Sequence, residues 1–364
     1  MSTGPRVVEK PKTVWQSGSP ELTAYMNTVY LPSHMNANGD AQNTLIYQRK
    51  GNVGIATQLY GTCDTLLFGI LQNRPVQSRP FVSVYRLVNA PGIPSHFFSF
   101  PIFNFTFPAT LASGSGLCFL SPSSTELYRY SHVIDVSNSS VPLIDVNITS
   151  RIPGLTNDMF FADAYPSTAV ISTSISLIRF ISTRISFLSF VDRLNETSSR
   201  LSRSSRYPIC LRSLLQPSPF FHTFLDPFLP LFSEHFVIGM HVRMGGNYSN
   251  WNDKHIDMSE ERVLEKREAI DAILHEHPDA RILLATDTPE MEYRFDSIYP
   301  GIVKTVGDLP RMHSGSVTSE AGLMRTYLEL LLLGQCDVLF LTKRSALSRA
   351  IRYVNAKSPQ VFFF

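Results

Sequence analysis

A histidine and an arginine near residue 240 have the chemistry and the spacing needed to bind an anion. His241 and Arg243 follow the apolar residues 236–240 and precede Gly245 and Gly246. The planar guanidinium of an arginine matches two phosphate oxygens at once, which makes Arg243 a candidate phosphate ligand. The same residues also fit a core strand followed by a surface turn, with Arg243 paired to a carboxylate. Both interpretations remain open for this segment alone.

Two more groups of polar residues follow apolar segments downstream. Thr286 and Asp287 end the apolar run 281–285, and the polar residues 342–345 follow the run 338–341. If these runs are parallel strands of one sheet, their carboxyl ends lie along the edge where open α/β sheets bind ligands. The sequence therefore predicts that all three polar groups meet in one crevice.

Ser345 and Asp287 are the binding candidates in these two groups. Ser345 would begin a helix, whose amino terminus attracts anions, and together with Arg243 it would clamp a diphosphate. Taken alone, Ser345 is better explained as an ordinary helix cap, and the ligand interpretation is favoured only together with Arg243. Asp287 would accept a hydrogen bond from a ribose hydroxyl or from a base edge.

Helical and strand patterns alternate through the carboxyl-terminal third and place these residues. Asp257 lies three residues before Glu260, which resembles a capping box at the start of an amphipathic helix ending before Pro278. Alternation of this kind predicts a doubly wound parallel sheet after about Leu231. The predicted helices are 257–277, 289–299, 321–335 and 345–356, and the predicted strands are 236–240, 281–287, 302–306, 338–341 and 361–364.

Three blocks of this region resemble the motifs of the α-1,6-fucosyltransferase family, especially its bacterial nodulation-factor branch. The first is I-G-M-H-V-R-M-G at 238–245, which is similar to the family pattern I-G-V-H-V-R. The second is L-A-T-D at 284–287. The third comprises S-E-A at 319–321, L-L-G-Q-C-D at 332–337 and S-A-L-S-R at 345–349. The order and the approximate spacing of the three blocks match those of the family motifs.

The resemblance implies a B-type glycosyltransferase with two Rossmann-like lobes that transfers fucose from GDP-fucose, with inversion, to a glycan or glycoconjugate hydroxyl. GDP-fucose is the implied donor substrate, and neither a metal nor another cofactor is expected. His241 would lie beside the nucleotide and Arg243 would act on its diphosphate. The other implied substrate-binding residues are Gly245, Asp287, Ser345 and Arg349.

The chain departs from this family just after the first motif. Many members have a second arginine where this chain has Met244, and the mammalian-type members continue with an acidic run that this chain lacks. Asp253 is the nearest carboxylate that could take a proton from the acceptor, although a solvated loop aspartate is the alternative. These departures keep two other functions open: a catalytically inactive relative that binds a nucleotide sugar or a glycan, and a different B-type glycosyltransferase.

The amino-terminal half carries weaker signals. Residues 1–42 are polar and are expected to be loosely ordered. Residues 43–230 are expected to form the other α/β lobe, with a glycine-rich turn at 51–54 and a helical apolar face at 59–71 that are similar to the family's early segment. Residues 89–230 are rich in Ser, Phe and Pro and are expected to be an atypical insertion, or translated non-coding sequence. Residues 231–364 would be the nucleotide-sugar-binding lobe.

The composition of the chain excludes some classes of function. The 364 residues carry a formal net charge of +2, so the chain lacks the basic surface typical of nucleic-acid-binding proteins. The four cysteines lack metal-ligand spacing, and Cys336 is expected in the core. Neither a secretory signal nor a membrane anchor is evident. Family relatives suggest protein glycosylation in the Golgi lumen, which five N-x-Ser/Thr sequons would suit; they begin at Asn104, Asn138, Asn147, Asn195 and Asn247.

Overall fold

Two parallel β-sheets with helices define the architecture of the computed structural model. It describes residues 45–49, 54–57, 59–63, 76–78, 143–146, 169–173, 206–245, 258–311, 320–355 and 357–364. The first sheet has the strand order β2-β1-β4-β3 and the second has the order β7-β6-β5-β8-β9. Every strand pair in both sheets is parallel. The predicted α/β class, with a Rossmann-like carboxyl-terminal sheet, is confirmed.

The first sheet is formed by four strands of the amino-terminal half. In chain order they are β1 (Leu45–Arg49), β2 (Val76–Ser78), β3 (Leu143–Val146) and β4 (Ala169–Thr173). A helix, α1 (residues 55–57 and 59–63), follows β1. Because β1 pairs with both β2 and β4, it lies inside the sheet. Residues 1–42, and most of the unusual segment 89–205, lie outside the described residues, and the proposed lobe boundary at 230 stays a prediction.

The second sheet contains the five strands after residue 236. They alternate with helices as the sequence pattern predicts. The strands are β5 (Val237–Val242), β6 (Arg281–Thr286), β7 (Val303–Lys304), β8 (Val338–Leu341) and β9 (Gln360–Phe363). The helices are α2 (Arg206–Leu214), α3 (Pro219–Leu225), α4 (Leu229–Glu234), α5 (Glu260–Leu264), α6 (Arg267–Glu276), α7 (Pro289–Ile298), α8 (Glu320–Leu333) and α9 (Ala346–Val354).

Strand β5 is the centre of this sheet and is buried along its whole length. Ile238 and Met240 face a core that includes α5, α6 and α7, whereas Val237 faces a second core with α1, α2, α3, α8 and α9. A strand covered on both faces must be apolar on both, which explains the continuous apolar run in the sequence. At Gly239 an added Cβ would lie only 2.7 Å from the sulfur of Cys336. This close contact explains the glycine of the first motif and places Cys336 in the core, as predicted.

The predicted helix 257–277 is two helices. Helix α5 ends at Leu264 and α6 begins at Arg267, because Lys266 has ψ near 0° and interrupts the helical geometry. Ser259 caps α5 by accepting a hydrogen bond from the backbone N–H of Arg262 at 3.3 Å. The predicted cap Asp257 lies outside the described residues. Val263 and Ile270 still pack in the same core, so both helices cover one face of the sheet.

A buried charged network holds the loop after β7. Arg325 of α8 is 3% exposed and donates to Glu329 at 2.7 Å, to Glu292 of α7 at 3.0 Å and to the carbonyl of Leu309 at 2.7 Å. Arg311 also pairs with Glu292. These bonds satisfy a guanidinium that would be costly to bury alone. They connect α7 and α8 to the loop at the carboxyl edge of the sheet.

Among the helices of the described residues, none is both long enough and apolar enough to cross a membrane.

Glu329 gives this network a pH dependence. Burial raises the pKa of Glu329 from 4.5 to about 7, against the opposing effect of Arg325. A carboxyl whose pKa is higher in the folded state stabilises the fold below the unfolded pKa, and this stabilisation is lost as the pH rises through the folded value. We therefore expect the free energy of unfolding of the wild type to fall, relative to that of Glu329→Gln, as the pH rises from about 4.5 to above about 7. The expected fall is on the order of 1–3 kcal/mol.

Urea denaturation at a series of pH values measures this difference. The exposed Glu276→Gln is the matched control, and its curve should run parallel to that of the wild type. Parallel curves for Glu329→Gln and the wild type would show that the pKa of Glu329 is the same in the folded and unfolded states, contrary to the prediction.

Candidate functional site

The polar strand ends predicted to converge do so at the carboxyl edge of the second sheet. Thr342, directly after β8, accepts the backbone N–H of Arg243 at 2.8 Å and donates its hydroxyl to the carbonyl of His241 at 2.9 Å. Its own backbone N–H donates to the same carbonyl at 3.1 Å. Thr342 therefore extends the pairing of β5 with β8 by one residue and fixes the backbone from which the Arg243 side chain projects.

Asp287 fixes the same segment from the opposite side. Its two carboxylate oxygens accept the backbone N–H groups of Met244 at 2.8 Å and Gly245 at 3.1 Å. Gly245 has φ of 60°, a conformation that glycine adopts without strain, so the residue type suits the turn. The predicted hydrogen bond from Asp287 to a ribose or a base stays a prediction. Each carboxylate oxygen can accept a second bond, so the backbone role and a ligand role are compatible.

His241 is a buried neutral base beside Arg243. Its side chain is 5% exposed, and its Nδ1 lies 2.7 Å from the hydroxyl of Ser348 in the first turn of α9. Burial lowers the pKa of His241 to about 3, and the nearby charge of Arg243 contributes to the same shift. The imidazole is therefore uncharged near neutral pH, and the fixed positive charge at the end of β5 is that of Arg243.

The start of α9 completes the crevice. Ser345 caps this helix by accepting the backbone N–H of Ser348 at 3.3 Å, so its predicted use as an ordinary cap is confirmed. Its predicted contact with phosphate stays a prediction. The helix amino terminus carries partial positive charge, and the preceding Lys343 and Arg344 are exposed cations. Arg344 also has the unusual positive φ of 68°. The edge formed by Arg243 and this helix start is thus suited to an anion.

Arg349 lies one turn into α9, next to a tyrosine from the amino-terminal half. Tyr60 of α1 donates its hydroxyl to the carbonyl of Ala346 at 3.2 Å, and its ring meets that of Tyr353 edge-on at 6.1 Å. Burial raises the pKa of Tyr60, and the charge of Arg349 opposes that rise. The predicted substrate-binding role of Arg349 stays a prediction. Its surroundings show that α1 reaches the helix that borders the site.

Three residues of the site had no role assigned from the sequence pattern. Ser348 belongs to the third motif, but the sequence did not predict its contact with His241, which lies 107 positions away. Thr342 was seen only as part of a polar strand end, and Tyr60 belongs to the weak early segment. The proposed base Asp253 lies outside the described residues. Within the described ranges, no group of three or more His, Cys, Asp or Glu side chains is arranged to hold a metal ion.

Substitution of Asp287 tests the backbone role. In Asp287→Asn one acceptor oxygen becomes an amide group, so either Met244 or Gly245 loses its partner. We expect a loss of about 1–3 kcal/mol in the free energy of unfolding and faster amide hydrogen exchange at these two residues. The exposed Asp279→Asn is the control and should change neither quantity. Unchanged exchange at Met244 and Gly245 in Asp287→Asn would contradict the assigned role.

Comparison with known proteins supports the fold at low sequence identity. No family model matches the sequence, and no curated protein matches it. The structure of an arginine-to-lysine mutant of Arabidopsis thaliana FUT1 in complex with GDP aligns with a TM-score of 0.56 and 10% identity. The alignment covers 97% of this chain and 80% of that chain.

Two other solved structures align less closely. NodZ α-1,6-fucosyltransferase co-crystallized with GDP has a TM-score of 0.46 and 14% identity, over 89% of this chain and 95% of that chain. POFUT1 in complex with GDP-fucose has a TM-score of 0.45 and 11% identity, over 89% and 98% respectively. The protein has the α/β fold of Arabidopsis thaliana FUT1.

Proposed function

We propose that this protein is a glycosyltransferase that transfers fucose from GDP-fucose to a hydroxyl of a glycan or glycoconjugate, with inversion. The observation that carries the proposal is the juxtaposition of Arg243 and the start of α9 at the carboxyl edge of a Rossmann-like sheet. The two are connected through Thr342, which bonds to the backbone of Arg243 at 2.8 Å. A fixed guanidinium and a helix amino terminus on neighbouring strand ends form a diphosphate site.

The choice of a guanine nucleotide rests on two similarities. The three motifs are similar to those of fucosyltransferases, which use GDP-fucose. The solved structure of Arabidopsis thaliana FUT1, whose fold this chain shares, contains GDP. A site that stabilises diphosphate charge is also what a nucleotide-sugar donor needs, because that charge grows on the leaving group as the glycosidic bond breaks.

The groups at this edge then have distinct roles. The anomeric carbon of fucose loses its bond to the β-phosphate oxygen and gains a bond to the acceptor oxygen, and GDP leaves with the bonding electrons. Arg243 and the start of α9 stabilise the charge that develops on GDP. His241 is a poor candidate for the base that takes the acceptor proton, because it is buried, its Nδ1 is bonded to the Ser348 hydroxyl and burial disfavours its charged form. We assign that proton to a carboxylate, with Asp253 as the proposed base.

The finer parts of the proposal rest on the family resemblance. They are binding of the nucleotide sugar by Gly245, Asp287, Ser345 and Arg349, catalysis without a metal, an acceptor carried by a protein, and a location in the Golgi lumen. Arg243 and the partial positive charge of the α9 amino terminus would supply the positive charge that a metal provides in other nucleotide-sugar enzymes.

A nucleotide-sugar-binding protein without turnover is the second candidate, and Met244 favours it. Many relatives have a second arginine at this position. Here the side chain is 1% exposed and packs in the core with Met258, so it supplies no second cation to the crevice. The two candidates share the donor site and differ in turnover.

Exchange of Arg243 for lysine tests the donor site. Calorimetry on the full chain should show binding of GDP in preference to UDP and ADP. Arg243→Lys keeps the charge but loses the two-pronged geometry, so we expect GDP affinity to fall by about 10- to 100-fold. Arg281→Lys at the opposite edge of the sheet, where the guanidinium donates to the carbonyls of Asp279 and Ala280, is the matched control. Equal GDP binding by Arg243→Lys and the wild type would contradict the site.

Release of GDP from GDP-fucose in the presence of glycan acceptors separates the two candidates. The enzyme should release GDP in an acceptor-dependent manner, and a chelator should leave the rate unchanged. We expect Arg243→Lys to lower that rate by about 100-fold or more. Selective GDP binding without release across an acceptor panel would favour the non-catalytic candidate.

A further inference from the structure

The contact between His241 and Ser348 joins two buried groups from distant parts of the chain. His241 ends β5 and Ser348 lies in the first turn of α9, and both are at most 5% exposed. The separation between Nδ1 and the serine hydroxyl oxygen is 2.7 Å, which is a short hydrogen bond. Both groups border the proposed diphosphate site, so the direction of this bond decides what His241 can offer a ligand.

Two directions are possible for the bond, and burial distinguishes them. A serine hydroxyl carries one proton, and a neutral imidazole carries one proton on either Nδ1 or Nε2. If Nδ1–H donated to the hydroxyl, the proton of Ser348 would need another acceptor. Among the described residues, the hydroxyl of Ser348 has one hydrogen-bond partner, Nδ1 of His241. Leaving a buried hydroxyl proton unpaired is costly, so the hydroxyl donates and Nδ1 accepts.

The proton of the ring then resides on Nε2. The imidazole stays neutral because it is buried beside Arg243, so protonation of both nitrogens is disfavoured. An Nε2–H group is a hydrogen-bond donor and carries no charge. A donor next to the Arg243 guanidinium complements an anion, whereas a bare Nε2 lone pair would repel one.

We propose that Ser348 is a positioning residue that holds His241 in the Nε2–H tautomer and so makes His241 a hydrogen-bond donor to the diphosphate of the bound nucleotide. The ligand part of this proposal rests on the proposed function. Ser348 itself does not contact the nucleotide in this arrangement. It acts through the ring, in the way that partners of metal-bound histidines set the tautomer by bonding the second nitrogen.

Nitrogen-15 NMR of the full chain labelled at histidine reads the tautomer directly, and His241→Gln assigns the signal. The wild type should show an unprotonated Nδ1 and a protonated Nε2. In Ser348→Ala the Nδ1 signal should move toward that of a mixture of tautomers, and Ser348→Thr, which keeps the hydroxyl, should restore it. Ser218→Ala removes another buried serine that caps α3, so it controls for general loss of packing and should leave the signal unchanged.

GDP binding provides the second measurement. Ser348→Ala should weaken GDP binding by about three- to ten-fold, the effect of one lost hydrogen bond, and Ser348→Thr should recover most of it. In the double variant with His241→Gln, the Ser348→Ala substitution should have little further effect, because both changes remove the same bond. If Ser348 had a merely structural role, Ser348→Ala would reduce stability, leave the tautomer unchanged and add its effect on GDP binding to that of His241→Gln.

The outcomes separate this proposal from the proposed function. A protonated Nδ1 in the wild type, or an unchanged signal in Ser348→Ala, would overturn the tautomer assignment even if GDP binds tightly. If the wild type shows the Nε2–H tautomer but binds no GDP, the donor role toward a diphosphate is overturned together with the proposed function. Selective GDP binding combined with a tautomer shift in Ser348→Ala is the result that we expect.

Discussion

The three residues after β5 are held from both sides by side chains of neighbouring strand ends, and the candidate site depends on this clamp. Thr342 bonds the backbone of Arg243, and Asp287 bonds the next two N–H groups. A turn that carries a candidate ligand-binding arginine would otherwise be free to change conformation, which would cost entropy on binding. With its backbone bonds satisfied, this turn presents Arg243 in a preorganised position.

The sheet supports the clamp because β5 is central and packed on both faces. Asp287 directly follows the neighbouring strand β6, and Thr342 directly follows the other neighbour, β8. Both residues lie beside the end of β5, because parallel pairing brings the carboxyl ends of the strands to one edge. The contact of Gly239 with Cys336 lets α8 and its following turn approach β5 closely. On the same edge, the Arg325 network fixes the loop after β7. The core and the polar edge are thus two consequences of one strand order.

Much of the second sheet was predictable because its strands are short apolar runs bounded by polar residues and its helices are amphipathic or strongly apolar. The convergence of the strand ends also followed from the general geometry of parallel sheets. The break between α5 and α6 was not predictable, because Lys266 carries no helix-breaking signal. The contact of His241 with Ser348 and that of Tyr60 with α9 span 107 and 286 positions. Such pairs depend on tertiary packing, which the local pattern does not encode.

Asp287 shows the same limit in another way. Its residue type and its position at a strand end suggested a ligand contact, yet its carboxylate accepts hydrogen bonds from the backbone of the clamp. We propose that guanosine diphosphate binds at the edge held by this clamp, and a crystal structure of the full chain with GDP tests this binding most directly. We predict the diphosphate between the guanidinium of Arg243 and the first turn of α9, with His241 Nε2 within hydrogen-bonding distance. A diphosphate bound away from Arg243, with the clamp intact, would contradict the account.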